Sequence, residues 1–342
     1  VTVPDASSVE SIPVALDAMG GDHGPAQTVP GAVDAARSGT EVLLVGDRRA
    51  IETELAKHDI EGLPLRIVES DGAVSENEHP ARAFKSRPNA SMFVATRLLK
   101  DGEAKAVVSM GSTGASIAAA TVLLGTFDGI ERAALGGPII GPAPNTVVID
   151  LGTNVDARPR QLADFAALGA VMARVILDVE NPRVAILSVG AEEGKGNRLV
   201  KEATGILKAS GMNFIGNVEA SDLPFGRADV VVCDGFVGNV MLKLTEALGE
   251  AISRDVRKRL AGSREGAELA DHIYELTNRI EAYGGGPLLG VRGVVIVGHG
   301  RSQAASVAKA IRTARTTVER GFIEEAEEEI ARLRAAIGVQ SP

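Results

Sequence analysis

The chain has 342 residues with 45% hydrophobic and 24% charged side chains, enough to bury a full core without disulfide or metal staples and too apolar for disorder over most of its length. Thirty-six Lys and Arg against 45 Asp and Glu leave a formal charge of −9, which argues against a general nucleic-acid binder, whose surface must be cationic. The single cysteine, Cys233, closes neither an intrachain disulfide nor a multi-cysteine metal site and points to a reducing, cytoplasmic setting, while 39 glycines beside 3% aromatic residues favour strand-to-helix turns over base-stacking platforms.

Residues 1–11 are polar, lack the features of a signal peptide and read as a flexible N-terminal extension. From residue 12 short apolar runs alternate with helical patterns. Strands are predicted at 12–16, 41–45, 65–68, 106–109, 146–150, 184–189, 213–215, 229–233 and 294–297. Helices are predicted at 27–37, 49–57, 91–99, 115–124, 162–177, 198–209 and 302–320, the last running on into 324–334. The uncharged stretch 106–127 has membrane-spanning length, but the Gly-Ser-Thr-Gly turn at 111–114 divides it into strand, turn and helix. This βα alternation predicts a largely parallel sheet wrapped by helices, with 12–342 as a single domain. One excursion breaks it, at 240–283. There Leu244, Leu248, Ile252, Val256 and Leu260 recur every four residues, Leu269, Ile273, Leu276 and Ile280 follow, and Gly262 and Gly266 separate the two runs. The pattern is a protruding helical hairpin, each helix with one apolar stripe.

Five strand ends run into glycine-rich turns: 17–24 (DAMGGDHG), 110–115 (MGSTGA), 189–197 (VGAEEGKGN), 234–239 (DGFVGN) and 297–302 (VGHGRS). Glycine lets backbone N–H groups approach an anion, and a following helix N-terminus adds partial positive charge. The turns therefore offer Asp17, Gly20, Gly21, Asp22, Ser112, Thr113, Gly114, Gly196, Asn197, Gly235, Gly238 and His299 as candidates for binding a phosphate-bearing substrate, with Asn154 after the 146–150 strand. Each has a plainer reading as a turn residue. Lys195 is either a solvated lysine or a cation for phosphate or an oxyanion. Asn239 is either a helix N-cap or a site donor. His23 and His299 fit turn packing as well as catalysis, and Cys233 fits a buried structural thiol. The 190–196 turn misses the phosphate-loop motif by one residue and by the Mg-binding hydroxyl; no G-x-S-x-G elbow or H-E-x-x-H pair occurs, so neither a serine hydrolase nor a metal site is indicated.

Seven runs carry a resemblance: 14–25 (VALDAMGGDHGP), 149–159 (IDLGTNVDARP), 187–190 (LSVG) with 195–197 (KGN), 213–219 (NFIGNVE), 229–239 (DVVVCDGFVGN), 283–290 (YGGGPLLG) and 299–302 (HGRS). In this order, over about residues 12–320, they resemble the bacterial phosphate acyltransferase family of phospholipid synthesis. The resemblance implies a homodimeric three-layer α/β/α enzyme, related in fold to phosphotransacetylases and isopropylmalate-type dehydrogenases. It implies transfer of a fatty acyl group from acyl carrier protein to inorganic phosphate, with the acyl phosphate passing to a membrane glycerol-3-phosphate acyltransferase and with no metal or organic cofactor. It implies catalytic roles for Lys195 and Asn239. Met110 and Ser112 stand where similar members commonly have Ala and Asn.

Carrier proteins are typically acidic, so a local cationic patch is expected to dock the donor. Arg254, Arg257, Lys258, Arg259 and Arg264 place five cations within eleven residues, against Asp255. The same run also reads as a solvated flank or a site for anionic lipid, and Arg82, Lys85 and Arg87 stand behind it as the next docking candidates. Membrane attachment is expected to be weak, reversible and peripheral. Two other readings stay beside this one: an NAD(P)-dependent decarboxylating dehydrogenase on the same fold, and a non-catalytic scaffold for acyl carrier protein.

Overall fold

Buried Val, Ile and Leu runs become strands because each is covered on both faces. The computed structural model describes residues 11–75 and 78–338, so the extension expected at 1–11 lies, but for Ser11, outside the described residues. The chain begins with β1 (Val14–Asp17), α1 (Pro25–Arg37), β2 (Val42–Gly46), α2 (Arg48–Leu55), β3 (Leu65–Glu69), α3 (Pro80–Ser86), α4 (Ser91–Lys100), β4 (Ala106–Ser109) and α5 (Thr113–Ala119). It continues through β5 (Ala134–Pro138), β6 (Val147–Ile149), α6 (Pro159–Leu177), β7 (Val184–Leu187), α7 (Arg198–Ala209), β8 (Phe214–Val218) and β9 (Val230–Val232). The hairpin is α8 (Gly235–Arg259) and α9 (Arg264–Thr277), followed by the short α10 (Arg279–Ala282). β10 (Gly286–Leu289), β11 (Val294–Val297), α11 (Ala304–Glu319) and α12 (Phe322–Ala336) complete the chain.

The strands form one eleven-stranded sheet in the order β3-β2-β1-β4-β11-β10-β5-β6-β9-β7-β8. Alternate residues of each strand enter opposite cores, which gives the three layers. Val14, Leu16, Val42 and Leu44 meet α1 and α11, whereas Ala15, Leu43 and Val45 meet α4 and α5. In the second half Val147, Ile149, Val184 and Val230 meet α6 and α7, and Val148, Ala185 and Val231 face Leu242 of α8 and Ile280 of α10.

Several local expectations are corrected. β5 and β10 went unpredicted because ALGGP and GPLL lack a continuous β-branched run, and α3 was missed. The helix expected from 302 through 334 is two helices, broken at Gly321, whose φ of 66° is left-handed. The helix expected at 115–124 starts at Thr113 and widens into a π turn over Ala120–Leu124.

The sheet is mostly parallel, but β10 pairs antiparallel with β11 and with β5, and β5 pairs antiparallel with β6. Three reversals in succession set the two parallel groups running in opposite senses. Their glycine turns consequently gather in two places rather than along one edge.

The hairpin packs through its small residues. Gly249 faces Thr277 so closely that a Cβ there would fall 1.6 Å from the Thr hydroxyl, and Ser253 Oγ donates to Ala270 O at 2.7 Å. That choice of face leaves Phe236, Val240, Leu244, Leu248 and Ile252 on the outside of α8, each about half exposed or more.

Candidate active site

The first group of turns follows β1, β4 and β11. Asp17 ends β1 at 2% exposure, where Ser109 Oγ donates to it at 2.7 Å. Burial pushes its carboxyl up, opposed by the hydroxyls of Ser91 and Ser109 and the amides of Met19 and Gly20. The glycines here let turn pack on turn. A Cβ on Gly20 would fall 2.7 Å from Asp17 Oδ2, and one on Gly21 2.9 Å from Gly300 O. Asp22 N donates to Gly300 O at 2.7 Å, locking the 17–24 and 297–302 turns together. Ser112 caps α5, accepting from Ala115 N at 3.3 Å; Thr113 and Gly114 open that helix, with Gly114 against Pro80.

The second group is built on Asp150, fully buried just after β6. Its carboxylate accepts from the backbone amides of Gly152 and Thr153 at 3.1 Å, of Asn154 at 2.7 Å and of Leu135 at 3.3 Å, and from the Thr153 hydroxyl. Asn154 Nδ2 donates to Asp150 Oδ2 at 2.9 Å and to Ala133 O at 2.8 Å. The amide of Asn154 is thus committed to holding this loop. Gly235 N donates to Asn154 O at 2.8 Å, so the first turn of α8 rests on the loop. Asp150 was not singled out from sequence, because a lone Asp in a turn carries no signal of the amides that surround it.

Asn239 is not the N-cap. That position belongs to Asp234, which accepts from Val237 N at 2.9 Å. Asn239 lies one turn further along α8, exposed, with its side chain over Gly152.

The third element is the turn after β7. Asn217 Nδ2 donates to the carbonyls of Glu192 at 3.1 Å and of Gly190 and Lys195 at 3.4 Å, fixing the loop that carries Lys195. Gly196 has φ 105°, and Asn197 caps α7 by accepting from Val200 N at 2.9 Å. Lys195 is exposed, and no carboxylate pairs with it among the described residues. Between this turn and the start of α8 lies a pocket of about 290 Å³, its walls including Leu162, Leu199, Val237 and Met241 and its rim Asn197 and Asp234. Cys233 also lines it; burial, then the nearby Asp234 and Asp150, push its thiol up, so it stays protonated and packs as a small apolar group. Gly196 and Asn197 of the turn and Val237 and Met241 of α8 thus face one pocket, with two helix N-termini at its rim, but neither Lys195 nor Asn239 lines it: Asn239 is two residues from both Val237 and Met241, on the other side of the helix, over Gly152.

α8 also ties the two groups of turns together. Glu246 lies seven residues beyond Asn239 on the same face, about 10 Å along the axis. Its carboxylate sits 3.4 Å from His299 Nε2 and accepts from Lys243 Nζ at 3.0 Å. Burial raises its pKa, but His299 and Lys243 outweigh that and bring it to about 2. Arg301 and Glu281 pair at 3.0 Å beside it. His299 thus packs a turn against the hairpin, and Glu246, unremarkable in a charged helix, was missed.

The cationic run is less isolated than its sequence suggested. Arg254 pairs with Glu250 at 2.6 Å, Arg264 with Glu268 at 2.7 Å, Arg259 with Asp255, and Arg257 with Asp271 of α9. Over 240–283 there are seven Lys and Arg against eight Asp and Glu. Only Asp255 was visible as a local neighbour; the others sit a helix turn away or across the hairpin. No group of three or more His, Cys, Asp or Glu is arranged to hold a metal ion, and no helix is long and apolar enough to cross a membrane, among the described residues.

Comparison with known proteins agrees with this architecture. The family model described as "Fatty acid synthesis protein" matches residues 12–325. The chain is 44% identical over 315 residues to the phosphate acyltransferase of Nitratidesulfovibrio vulgaris, covering 90% of this chain and 91% of that protein. It is 44% identical over 326 residues to the phosphate acyltransferase of Heliobacterium modesticaldum, covering 93% and 97%. Among solved structures, a phosphotransacetylase from Streptococcus pyogenes shares the fold with a TM-score of 0.60 at 18% identity, over 91% of this chain and 95% of that one. A phosphotransacetylase from Staphylococcus aureus does so with a TM-score of 0.57 at 18% identity, over 90% and 95%.

Proposed function

The chain belongs to the fatty acid synthesis protein family as an acyltransferase acting on phosphate, and from that premise we propose that its donor is a fatty acyl group on acyl carrier protein. The products are an acyl phosphate and free carrier protein, the former consumed by a membrane glycerol-3-phosphate acyltransferase on the way to phosphatidic acid.

The observation that supports this reading is the pocket that Gly196 and Asn197, next to Lys195 in the turn after β7, share with Val237 and Met241 of α8. Phosphate is anionic near neutral pH and attacks the thioester carbonyl without a strong base. A P–O–C bond forms, the C–S bond breaks, and the thiolate leaves with a pKa of about 8.5, taking a proton from solvent. The protein's tasks are to hold phosphate at the carbonyl and to stabilise the oxyanion. Lys195 offsets repulsion between the two anions, Asn239 donates a hydrogen bond to one of them, and the N-termini of α7 and α8 add partial positive charge. The packed loop around Asp150 sets the position of Asn239 through Gly235 and Gly238. The 17–24 turn, locked to the 297–302 turn through Asp22 and Gly300, helps hold the middle of α8 in place through His299 and Glu246; Asp17 and Ser112 act within this group of turns.

The outward row Phe236, Val240, Leu244, Leu248 and Ile252 supports a homodimer, because apolar residues at half exposure in one line gain from burial against a second copy. Arg254, Arg257, Lys258, Arg259 and Arg264 dock the acidic carrier; exposed ion pairs are worth about 0–1 kcal/mol each, so a partner's carboxylates compete with Glu250 and Asp271. The protein works in the cytoplasm, with weak peripheral attachment to the membrane. The test is to mix purified protein, acyl carrier protein loaded with palmitate, and phosphate, without metal or nucleotide, and detect acyl phosphate by mass spectrometry. Equal product with phosphate omitted, or a strict requirement for NAD, refutes the proposal.

A further inference from the structure

We infer that the pocket between α6, α7 and α8 receives the hydrocarbon tail of the acyl donor and gauges its length, with Leu199 and Met241 as the wall residues that limit how much of the tail enters. This rests on the acyl-transfer reading above and adds to it a part of the substrate and the side chains that select it.

The pocket has a direction. Leu162, Ile186 and Cys233 are 5% exposed or less and form its floor, whereas Val189, at 84% exposure, and Asn197 stand at its mouth. Its floor and middle are hydrocarbon: Leu162 from α6, Ile186 from β7, Leu199 and Val200 from α7, Val237 and Met241 from α8. The protonated Cys233 thiol adds no charge there, being already turned to Asp150 O at 3.7 Å. Polar groups are confined to the outer part. Asn197 and Asp234 cap their own helices, and the buried Ser188 hydroxyl oxygen has no hydrogen-bond partner. An apolar interior closed at one end, with an unsatisfied hydroxyl toward the other, matches a chain whose reacting carbonyl stays near the mouth. There it lies next to the Lys195–Asn197 turn.

The other parts of the donor fit less well. A phosphopantetheine arm carries amides that need partners along its length, and the inner wall offers none. A phosphate there would be an ion without a counter-charge. At about 290 Å³ the cavity is at the small end of ligand pockets, so changing one wall residue changes what fits.

The experiment compares kcat/KM for hexadecanoyl and octanoyl donors on the parent, Leu199→Trp and Met241→Ala. Both positions are partly exposed, so neither substitution strips the core. Each buried methylene is worth about four-fold in binding. An indole that displaces about three of them lowers the hexadecanoyl-to-octanoyl ratio roughly 60-fold in Leu199→Trp, while Met241→Ala raises it. A damaged fold loses both donors alike and moves neither ratio, so opposite shifts in the two variants are specific. Acyl phosphate formed by both variants with the parental ratio overturns the inference, and an equal rise in KM at both lengths assigns the pocket to the pantetheine arm instead, which also overturns it. Calorimetric binding of laurate separates this from the acyl-transfer reading. If no donor of any length yields acyl phosphate, that reading fails; laurate binding weakened by Leu199→Trp still supports the pocket, and laurate binding unchanged by it removes the inference too.

Discussion

Replacing Gly238 by Ala probes how tightly the first turn of α8 is pinned. A Cβ at this position falls 1.8 Å from Asp150 O, 2.9 Å from Asp150 C and 3.2 Å from Cys233 Sγ. Ordinary contact begins at 3.4 Å, so something must move by about 1.6 Å. Asp150 is the fixed partner: its amide donates to Cys233 O at 3.1 Å and its carboxylate gathers the amides of the following loop. The helix therefore shifts, and Asn239, the next residue, shifts with it. Overpacking of this kind costs about 1–3 kcal/mol. A displacement of about 1 Å at a reacting group costs roughly 100-fold in rate. The expected outcome is a lower urea midpoint for unfolding and a kcat for acyl phosphate formation down about 100-fold. Gly205→Ala is the matched control. Gly205 lies inside α7 with nothing within 4 Å of its Cβ position, so alanine there stabilises by about 0.5–1 kcal/mol and leaves kcat alone. A Gly238→Ala protein with the parental midpoint and the parental kcat refutes the reasoning.

Lys195→Ala and Asn239→Ala should each lower kcat by about 10²–10³ with far-UV circular dichroism unchanged, and parental turnover in either would remove that residue from the chemistry. Glu246, held at about 2 where a glutamate ordinarily sits near 4.5, contributes stability that is full above about pH 5 and is lost as pH falls toward 2. Glu246→Gln should therefore be less stable than the parent at pH 7, by at most about 3 kcal/mol in urea unfolding, with the gap narrowing by pH 3; a constant gap contradicts the linkage. Leu248→Asp should shift the sedimentation equilibrium from dimer toward monomer at micromolar concentration, and an unaltered mass would place the subunit contact elsewhere. Charge reversal at Arg254, Arg257 and Lys258 should raise KM for the carrier-bound donor at low salt with kcat nearly kept, the difference shrinking as salt is added; an unchanged KM transfers docking to Arg82, Lys85 and Arg87.

What could be read from sequence follows from how local the signal is. Continuous runs such as Val42–Gly46 and Val294–Val297 announced buried strands, and Asn197 before Arg198 stood where α7 begins. β5 and β10 were silent because antiparallel pairing in the middle of the sheet holds them without a β-branched run of their own. Period gave the row Leu244, Leu248 and Ile252, but not which side it faces. That was decided by Gly249 and Ser253, whose small side chains admit α9 more closely than leucine could. The glycine turns put Lys195 and Asn239 among the candidates, each beside a plainer reading, and the catalytic roles given to them come from the resemblance. Spacing could not foresee that Asp150 draws four backbone amides around itself, or that Asp271 comes across the hairpin to Arg257, since both depend on residues distant in space or on loop conformation.

The position of β10 and β11 bears on how the polypeptide is made. They come after the other nine described strands in the sequence, yet they seal the centre of the sheet, where Val294 lines up with Ala106 and Leu288 with Leu135. A nascent chain that has reached α9 therefore holds two half-sheets whose facing borders, β4 and β5, have open main-chain groups and apolar side chains. Such borders recruit strands from other molecules when left unpaired. Closure requires contacts spanning well over a hundred residues, which slows it. Fragments ending before Gly286 should accumulate as aggregates, and demand for chaperones should last until β10 and β11 have left the ribosome.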